Sequence, residues 1–387
     1  MALNMINVPP LDLTQQYEII EEQVNTRVQE VLSSGRYIGG SIVDEFEQQF
    51  AKYVDVSHCV SCNSGTDALF LALRALNIGF GDEVITTPFT FFSTAEVISA
   101  VGATPIFIDI DPQTFNLDLK QLEPAITKNT KAILPVHLFG QPVDMTMLMA
   151  IARSHNLIVI EDCAQATGAE WHQQKVGSFG DIGCFSFFPT KNLGAFGDGG
   201  ALTTNNPAIA NQVRILKNHG QSAKYFYEHI GINSRLDTIQ AAILQVKLPY
   251  LDSWNQQRRA LANHYYKFLS GITAVVPPQE LFGGRCVWNQ YTIILKSQEL
   301  EAIGKSHFSN SLRDSIRAQL QNKGIGSAIY YPTPLHLQPV YKSLAHCQLP
   351  VVEQVCHQVL SLPMFPELST SQQEQVIFAL KNCLQEL

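Results

Sequence analysis

Two spacings of hydrophobic residues divide the chain into a helical opening and a longer alternating region. In the opening, apolar side chains recur at steps of three and four residues, which predicts two amphipathic helices. The first helix contains Leu13, Tyr17, Ile20, Val24, Val28 and Val31, and the second contains Val43, Phe46, Phe50 and Tyr53. Both predicted helices precede the first predicted strand.

From residue 58 onward, short apolar runs alternate with helical segments. The predicted strands are HCVSC, DEVITT, TPIFIDI, KAILPVHL, NLIVIED, GCFSF and GALTT. The predicted helices begin near Thr66, Ser93, Leu117, Asp144 and Pro207. Strands that are hydrophobic along their whole length are typical of a parallel sheet with helices on both faces. The pattern therefore predicts an α/β fold with a mostly parallel central sheet flanked by helices.

The last third of the chain has a different pattern. A helical stretch over residues 234–269 is followed by the passage TAVVPPQELFGGR, which we interpret as a loop or linker. Beyond it, the strands NQYTIIL, GIGSAIYY and QVLSLP mix with helices near 308–322 and 370–386, as in an α+β domain. Because 387 residues exceed the usual size of one core, we predict two domains. These are a large α/β domain over residues 1–250, including the N-terminal helices, and a smaller α+β domain over residues 251–387.

The composition narrows the class of protein. Hydrophobic residues make up 45% of the chain and charged residues 16%, with a net charge of -8, as in a well-buried globular enzyme. No Lys/Arg cluster stands out, so we expect no nucleic-acid partner. The start MALNMINVPPLDL lacks a basic segment followed by an apolar one, and no stretch reads as a membrane span. We therefore expect a cytoplasmic protein with no membrane contact.

The eight cysteines are scattered along the sequence. Cys59 and Cys62 form a C-x-x-C pair, but no second pair or histidine pair follows at zinc-finger spacing. We interpret them as buried structural thiols, and we expect neither a metal site nor, in a cytosolic chain of this size, disulfides.

Three segments follow predicted strands, where ligands of open α/β sheets bind. In the first, NSGTDALFLAL, a turn of small residues leads into an apolar helix. Gly65 would let a ligand approach the backbone, and the free amides at the helix start would face an anion such as phosphate. The alternative is an ordinary helix cap formed by Ser64 or Thr66.

The second segment, VIEDCAQATGAEW, places Glu161 and Asp162 at the carboxyl end of a central strand. Burial raises the pKa of an acid that has no cationic partner, so an acid in this position is usually functional. A protonated ring nitrogen is one partner that would keep it ionised. The alternative is an acid that caps the next turn.

The third segment, FSFFPTKNLGAFGDGG, places Lys191 among aromatic residues and glycines with no adjacent carboxylate. A desolvated amine has a lowered pKa and can form a Schiff base with an aldehyde. The alternative is a surface lysine on a loop. The glycine spacing does not match the dinucleotide-binding fingerprint.

One cofactor fits the three segments together. Pyridoxal phosphate needs a lysine for its aldehyde, an acid for its pyridine nitrogen and an anion site for its phosphate. It also needs a flat wall against its ring, and TTPFTFFSTA supplies aromatic residues for that wall. The sequence thus predicts a pyridoxal-phosphate enzyme.

At this level of detail the chain resembles the fold-type I, pyridoxal-phosphate-dependent sugar aminotransferases of the DegT/DnrJ/EryC1/StrS group. The matching segments are GRYIGG, NSGTDAL, TTPFTFFSTA, PVHLFGQPVDM, EDCAQATGA, GCFSFFPTKNLGAFGDGGAL, GINSRLDTIQAA and YYPTPLHLQPVY, between residues 35 and 341. Their order and joint presence are specific to this group. The resemblance implies the fold-type I transferase fold, with a large cofactor-binding domain and a smaller C-terminal domain.

The resemblance also assigns roles around the cofactor. Lys191 matches the lysine that carries the cofactor, and Asp162 matches the acid that pairs with its ring nitrogen. Gln165 would lie near the ring hydroxyl, and Phe91 would stack on the ring. The residues implied to hold the phosphate are Gly65, Thr66 and Ser186.

Further matches concern the partner subunit and the substrate. Asn233 would reach the phosphate in the neighbouring subunit, which implies a homodimer with shared active sites. The residues in segments that contact substrate in the family are Arg235, Tyr331, His336 and His137. For His137, a packed core histidine is an equal alternative.

The implied reaction is transamination, because the dehydratases of this group carry histidine where this chain has Lys191. L-glutamate would supply the amino group, pyridoxamine phosphate would be the intermediate form, and a nucleotide-linked keto-sugar would accept it. YYPTPLHLQPVY resembles the branch that aminates C3 ketones more than the C4 branch. Two alternatives remain: a synthase of the aminohydroxybenzoate type and a non-catalytic regulator on the same fold. The intact set of Lys191, Asp162 and Asn233 argues against the regulator.

Overall fold

The computed structural model describes residues 7–296, 311–344 and 347–386. The α-helices in this part are α1 (Thr14–Ser34), α2 (Ser41–Val54), α3 (Gly65–Ala75), α4 (Ser93–Ala100), α5 (Met145–Ser154), α6 (Pro207–Leu216), α7 (Thr238–Lys247), α8 (Leu251–Leu269), α9 (Leu312–Asn322), α10 (Pro350–Gln358) and α11 (Thr370–Glu386). The strands are β1 (His58–Cys62), β2 (Glu83–Thr86), β3 (Thr104–Phe107), β4 (Thr130–Leu134), β5 (Ile158–Asp162), β6 (Glu170–Trp171), β7 (Gln174–Lys175), β8 (Ile182–Ser186), β9 (Gly200–Thr204), β10 (Gln221–Ala223), β11 (Phe226–Tyr227), β12 (Val275–Val276), β13 (Gly284–Arg285), β14 (Tyr291–Leu295) and β15 (Val359–Leu362).

A seven-stranded sheet forms the centre of the fold, in the order β1-β9-β8-β5-β4-β2-β3. The pairs β5–β8, β4–β5, β2–β4 and β2–β3 are parallel, whereas β9 runs antiparallel to both of its neighbours. This arrangement confirms the predicted α/β fold with a mostly parallel sheet.

Helices cover both faces of this sheet, which explains why its strands are hydrophobic throughout. Val84 and Ile160 pack in the cluster that includes side chains of α3 and α4. Their chain neighbours Ile85 and Val159 point to the opposite face and pack against α5. Alternate residues of one strand are thus buried in two separate clusters.

The C-terminal part contains a second sheet, in which β14 pairs antiparallel with β12 and β15. Side chains of α8, α9 and α11 share its hydrophobic cluster, and so does Val8 near the N-terminus, which pairs with Ile325. Asp109 joins the two parts, because its carboxylate accepts hydrogen bonds from Val351 N at 2.8 Å and Val352 N at 2.9 Å, at the start of α10. The domain division at residue 250 stays a prediction.

Three local predictions of secondary structure were wrong, and a fourth, the TAVVPPQELFGGR loop, was partly wrong. In place of a helix near Leu117, two short 3-10 turns follow at Leu119–Gln121 and Glu123–Ala125, because Asp118 caps the first and Pro124 lies in the second. GIGSAIYY forms isolated bridges instead of a strand. The helical stretch over residues 234–269 is interrupted by a 3-10 turn at Leu248–Tyr250, since Pro249 lacks a backbone N–H.

The passage TAVVPPQELFGGR, predicted as a loop, contributes the short strands β12 and β13. The predicted helix near 308–322 corresponds to α9, and its first residues lie outside the described part. Among the described helices, none is long and apolar enough to cross a membrane. Cys59 and Cys62 are buried free thiols, as the sequence predicted.

Candidate active site

A cavity of about 450 Å³ opens beside the carboxyl end of β5 and the amino-terminal end of α3. Most of the residues implicated by the sequence line it. These are Gly65, Thr66, Phe91, Asp162, Gln165, Ser186, Lys191 and Tyr331. The size is within the range of small-molecule sites, and the position matches the ligand site of open α/β sheets.

One end of the cavity is built from hydroxyl groups and the first turn of α3. Ser64 caps this helix, because its side-chain oxygen accepts a hydrogen bond from Asp67 N at 3.1 Å. Thr66 Oγ1 lies 2.7 Å from Ser93 Oγ, and Ser186 also lines this end. The capping alternative and the anion-site prediction therefore apply to the same turn, since a capped helix still presents free amides and a positive dipole end.

Asp162 ends β5 with its carboxylate at the cavity wall. Burial raises the pKa of this carboxyl group, whereas hydrogen bonds and the Lys191 charge act in the opposite direction. The two donors are Ala164 N at 3.1 Å and Thr94 Oγ1 at 2.9 Å, one to each carboxylate oxygen. The side chain is thus held in one orientation, with both donors favouring its ionised form.

Lys191 lies in the loop between β8 and β9, with its half-buried side chain in the cavity. Desolvation lowers the pKa of its amine to about 8, although the nearby Asp162 carboxylate opposes this shift. The backbone of the loop is closed by hydrogen bonds from Lys191 N to Phe188 O at 2.9 Å and from Ala195 N to Phe187 O at 2.8 Å. An amine with this pKa can gain or lose a proton near neutral pH.

Gln165 and Tyr331 form a second wall. Gln165 Oε1 accepts a hydrogen bond from Phe139 N at 2.7 Å, and its Nε2 donates to the Tyr331 hydroxyl at 3.1 Å. Burial raises the pKa of the Tyr331 phenol, so this group stays protonated. Phe91 lines the cavity with 59% of its surface exposed, whereas Phe89 in the same segment is completely buried.

Glu161 and His137 lie outside the cavity lining and are completely buried. Glu161 accepts hydrogen bonds from Gly177 N, Phe179 N and Gly180 N at 2.8–2.9 Å. His137 Nδ1 accepts from Val143 N at 3.0 Å, which makes Nε2 the protonated nitrogen that donates to Glu161 at 3.1 Å.

These contacts favour the packed-core alternative for His137 over substrate contact. Glu161, His137 and Cys163 lie close enough together to resemble a metal site. However, both His137 nitrogens and both Glu161 oxygens already have protein partners, so we interpret this trio as structural.

The other three sequence-predicted residues do not line the cavity of their own chain. His336 is buried, and its Nε2 lies 3.1 Å from Glu353 Oε1. Arg235 is half-buried and donates to Asn218 Oδ1 at 3.4 Å. Asn233 is exposed. Contact of His336 with substrate has no support in this geometry, whereas an exposed Asn233 is free to meet a second subunit.

Several cavity residues were missed in the sequence. Thr94 belongs to TTPFTFFSTA, whose aromatic residues predicted the wall against the ring, whereas its Thr94 donates a hydrogen bond to Asp162. The other missed polar residues in the lining are Thr90, Ser93, Thr190, Asp198, Gln290 and Tyr330. Gln290 gives no local signal, because it reaches the cavity from the position just before β14, about 100 residues after Lys191.

The residues present fit pyridoxal phosphate. The cavity combines an amine with a lowered pKa, an acid held by two donors and a helix N-terminus surrounded by hydroxyl groups. The exposed face of Phe91 supplies a flat aromatic wall. This set of donors corresponds to the needs of an aldehyde, a pyridine nitrogen and a phosphate.

Comparison with known proteins agrees with this chemistry. The model of the DegT/DnrJ/EryC1/StrS aminotransferase family matches residues 18–381. A pleiotropic regulatory protein of Geobacillus stearothermophilus is 47% identical over 376 residues, which cover 96% of this chain and 97% of that protein. A UDP-N-acetyl-3-dehydro-alpha-D-glucosamine 3-aminotransferase of Acidithiobacillus ferrooxidans is 44% identical over 97% of this chain and 98% of its own.

Two matches from Streptomyces venezuelae extend this comparison. A dTDP-3-amino-3,4,6-trideoxy-alpha-D-glucose transaminase is 41% identical over 97% of this chain and 96% of that protein. The crystal structure of DesV in complex with a ketimine intermediate superposes with a TM-score of 0.92 and 41% identity. This superposition covers 98% of this chain and 99% of that chain, so the same fold extends over nearly the whole molecule.

Proposed function

The chain belongs to the DegT/DnrJ/EryC1/StrS aminotransferase family, and from this premise we propose that it aminates the 3-keto group of a nucleotide-linked sugar, with L-glutamate as the amino donor. It is an aminotransferase that uses pyridoxal phosphate, the cofactor of this aminotransferase family. The observation that carries the proposal is that Lys191, Asp162 and the N-terminus of α3 line one cavity.

In the proposed mechanism, each side chain has one task. When bound, pyridoxal phosphate supplies a carbonyl group for amines and a ring that takes up the electron pair released at the donor's α-carbon. Lys191 binds it and, once its amine is free, moves the proton to and from that carbon as a general base and acid. The lowered pKa of Lys191, about 8, suits this task.

Asp162 keeps a positive charge at the ring nitrogen through its ionised carboxylate. The donors Thr94 and Ala164 hold this carboxylate in place. The first turn of α3, with Gly65, Thr66 and Ser186 around it, binds the phosphate through backbone amides and hydroxyl groups. Together these residues would hold the cofactor in the cavity that Phe91 lines.

The preference for a 3-keto group rests on two sources. YYPTPLHLQPVY resembles the C3 branch, and the relatives from Acidithiobacillus and Streptomyces are both named for chemistry at C3. One of them acts on a UDP-sugar and the other on a dTDP-sugar, so the names support both nucleotides equally. The glutamate donor and a cytoplasmic location stay predictions from the sequence.

We further propose a homodimer in which Asn233 completes the phosphate site of the partner subunit. Asn233 is exposed and absent from the cavity of its own chain. The neighbouring hairpin β10–β11 exposes Phe226 and Tyr227, at 59% and 57%, which suits a surface that is covered by a second copy.

A non-catalytic regulator is the second candidate, since a relative with 47% identity is called a pleiotropic regulatory protein. Retention of Lys191 and Asp162 at one cavity favours catalysis. The two functions differ in one observable property: a regulator binds a ligand without consuming glutamate.

Visible absorbance of the protein with bound pyridoxal phosphate tests the proposal. We expect the absorbance of the bound cofactor to bleach with L-glutamate and to return with a UDP- or dTDP-linked 3-keto-sugar. Recovery with 4-keto-sugars alone would correct the position of amination. Conversion of the cyclic aminoketone precursor to aminohydroxybenzoate without consumption of glutamate would instead support the synthase alternative. An absorbance that no amino donor changes would overturn the aminotransferase proposal in favour of the regulator.

A further inference from the structure

Asn192, the residue after Lys191, has a side-chain amide that is held from three sides. Only 4% of this residue is exposed. Its Nδ2 donates to Asn255 Oδ1 at 2.7 Å and to Val287 O at 2.9 Å. Its Oδ1 accepts from Asn289 Nδ2 at 2.8 Å. Because both N–H groups are used, the amide cannot turn over without losing partners in a buried environment.

The partners of Asn192 are themselves fixed to the rest of the fold. Asn255 lies on α8, and its Nδ2 donates to Thr167 O at 3.1 Å. Asn289 lies just before β14, and its backbone N–H donates to Phe139 O at 2.9 Å. The loop that carries Lys191 is therefore tied to a long helix and to the beginning of the C-terminal sheet.

The same hydrogen-bond network also includes two residues that line the cavity. Phe139 N donates to Gln165 Oε1 at 2.7 Å, and Gln165 Nε2 donates to the Tyr331 hydroxyl at 3.1 Å. Gln165 and Tyr331 line the cavity together with Lys191. Hydrogen bonds and the backbone of Phe139 thus connect the Asn192 side chain with the wall formed by Gln165 and Tyr331, through Asn289 and Phe139, which do not line the cavity.

We infer that Asn192 and Asn289 are positioning residues, which fix the loop so that the Lys191 amine reaches the cofactor in the productive direction. The inference rests on the proposed function, because it assigns these residues to the work of Lys191. Neither side chain lines the cavity, so both act through the loop. A lysine side chain is long and flexible, and the position of its backbone sets where its amine can lie.

The test compares Asn192→Ala and Asn289→Ala with Gln373→Ala as a matched control. Gln373 is an equally buried amide, 1% exposed, which donates to Leu261 O at 2.7 Å away from the cavity. Full-length protein with bound pyridoxal phosphate is assayed for kcat, KM and melting temperature. Borohydride reduction followed by mass spectrometry measures how fast and how completely the cofactor becomes fixed to Lys191.

For both asparagine variants, we expect kcat to fall about 100-fold with little change in KM, as a small misplacement of a reacting group produces. Fixation of the cofactor to Lys191 should slow in parallel. Gln373→Ala should lower only the melting temperature. The inference is overturned if the asparagine variants lose stability as the control does while kcat and fixation stay at wild-type values.

Asn289→Ala keeps the test informative if Asn192→Ala does not fold. This variant removes one side-chain hydrogen bond, the one to Asn192. No other side-chain hydrogen bond is lost with it, because the Asn289 Oδ1 has no hydrogen-bond partner in the described structure. A wild-type protein that fails to bleach with glutamate would contradict the proposed function instead. Fixation of the cofactor to Lys191 would then still report on positioning.

Discussion

Gly65 and Ser186 approach each other so closely that a Cβ atom on Gly65 would lie 2.6 Å from Ser186 Cβ. Non-bonded carbon atoms do not approach to this distance, so only glycine fits at the first position of α3. The two residues come from different strand–loop junctions and form one end of the cavity. The first turn of α3 can therefore lie directly against Ser186 at the end of β8.

We expect Gly65→Ala to weaken binding of pyridoxal phosphate by about 1–3 kcal/mol, because the new methyl group must push Ser186 or the first turn of α3 aside. Titration of the apoprotein with the cofactor, followed by absorbance, measures this change. Gly271→Ala is the control, since a Cβ atom there meets nothing within 4 Å. Equal affinity of Gly65→Ala and wild type would show that the phosphate does not use this turn.

Asp162 and Glu161 are adjacent acids, and we expect substitution of the first to lower activity and substitution of the second to lower stability. Asp162→Asn keeps an acceptor for Ala164 N, and its amide can donate to the Thr94 hydroxyl, so the fold should tolerate it. Without the carboxylate charge opposite the ring nitrogen, kcat should fall by about 100-fold or more. Steady-state kinetics and thermal melts of this variant separate the two effects.

Glu161→Gln should instead lower stability. It places an NH₂ group against backbone donors that now point at a carboxylate oxygen, which costs about 1–3 kcal/mol for each donor left without a partner. Chemical denaturation measures this loss, and the folded fraction should still bind pyridoxal phosphate. If Glu161→Gln lost activity without losing stability, the structural interpretation of Glu161 would be wrong.

In the apoprotein, the pH dependence of the free energy of unfolding should reveal the lowered pKa of Lys191. Burial lowers the folded-state pKa of Lys191 to about 8 from its ordinary value of 10.5. Between these two values the unfolded chain holds a proton that the folded chain has released, so the free energy of unfolding contributed by Lys191 rises with pH. Below pH 8 both states are protonated, and burial of the charged amine destabilises the fold.

Lys191→Met removes this dependence, so the variant should be more stable than wild-type apoprotein near pH 7. The advantage should be roughly 1–3 kcal/mol and should disappear as the pH rises towards 10.5. Urea denaturation of both proteins across this range gives the difference, in which the contributions of other groups cancel. A constant difference at all pH values would mean that the Lys191 pKa is not lowered.

The sequence predicted those parts of the site that are local in the chain. Asp162 at the end of its strand and Gly65 at the start of its helix could be identified because a few neighbouring residues determine both the element and its end. The long helical stretch before residue 269 was less predictable, since Pro249 replaces one turn of α-helix with a 3-10 turn.

Contacts between distant segments were not predictable. Alternation along β5 indicates that Glu161 and Asp162 face opposite sides, but only the fold shows which of them meets the cavity. His137 finds its partner 24 residues away, and Asn289 meets Asn192 across 97 residues. No pattern in the sequence predicts the contact between Asn289 and Asn192, because it depends on how the C-terminal sheet packs against the loop of Lys191.

The proposed shared active sites predict that two variants, each defective in a different part of the site, restore each other. Lys191→Ala removes the amine, so it should abolish turnover in a folded dimer, and Asn233→Ala should weaken the phosphate site of the partner. In a mixed dimer, one cavity receives Lys191 from one chain and Asn233 from the other, so partial activity should return when the variants are unfolded and refolded together. Activity of the mixture is compared with each variant refolded alone, and light scattering confirms the dimer. No recovery in a mixture that contains mixed dimers would place Asn233 outside the partner's site.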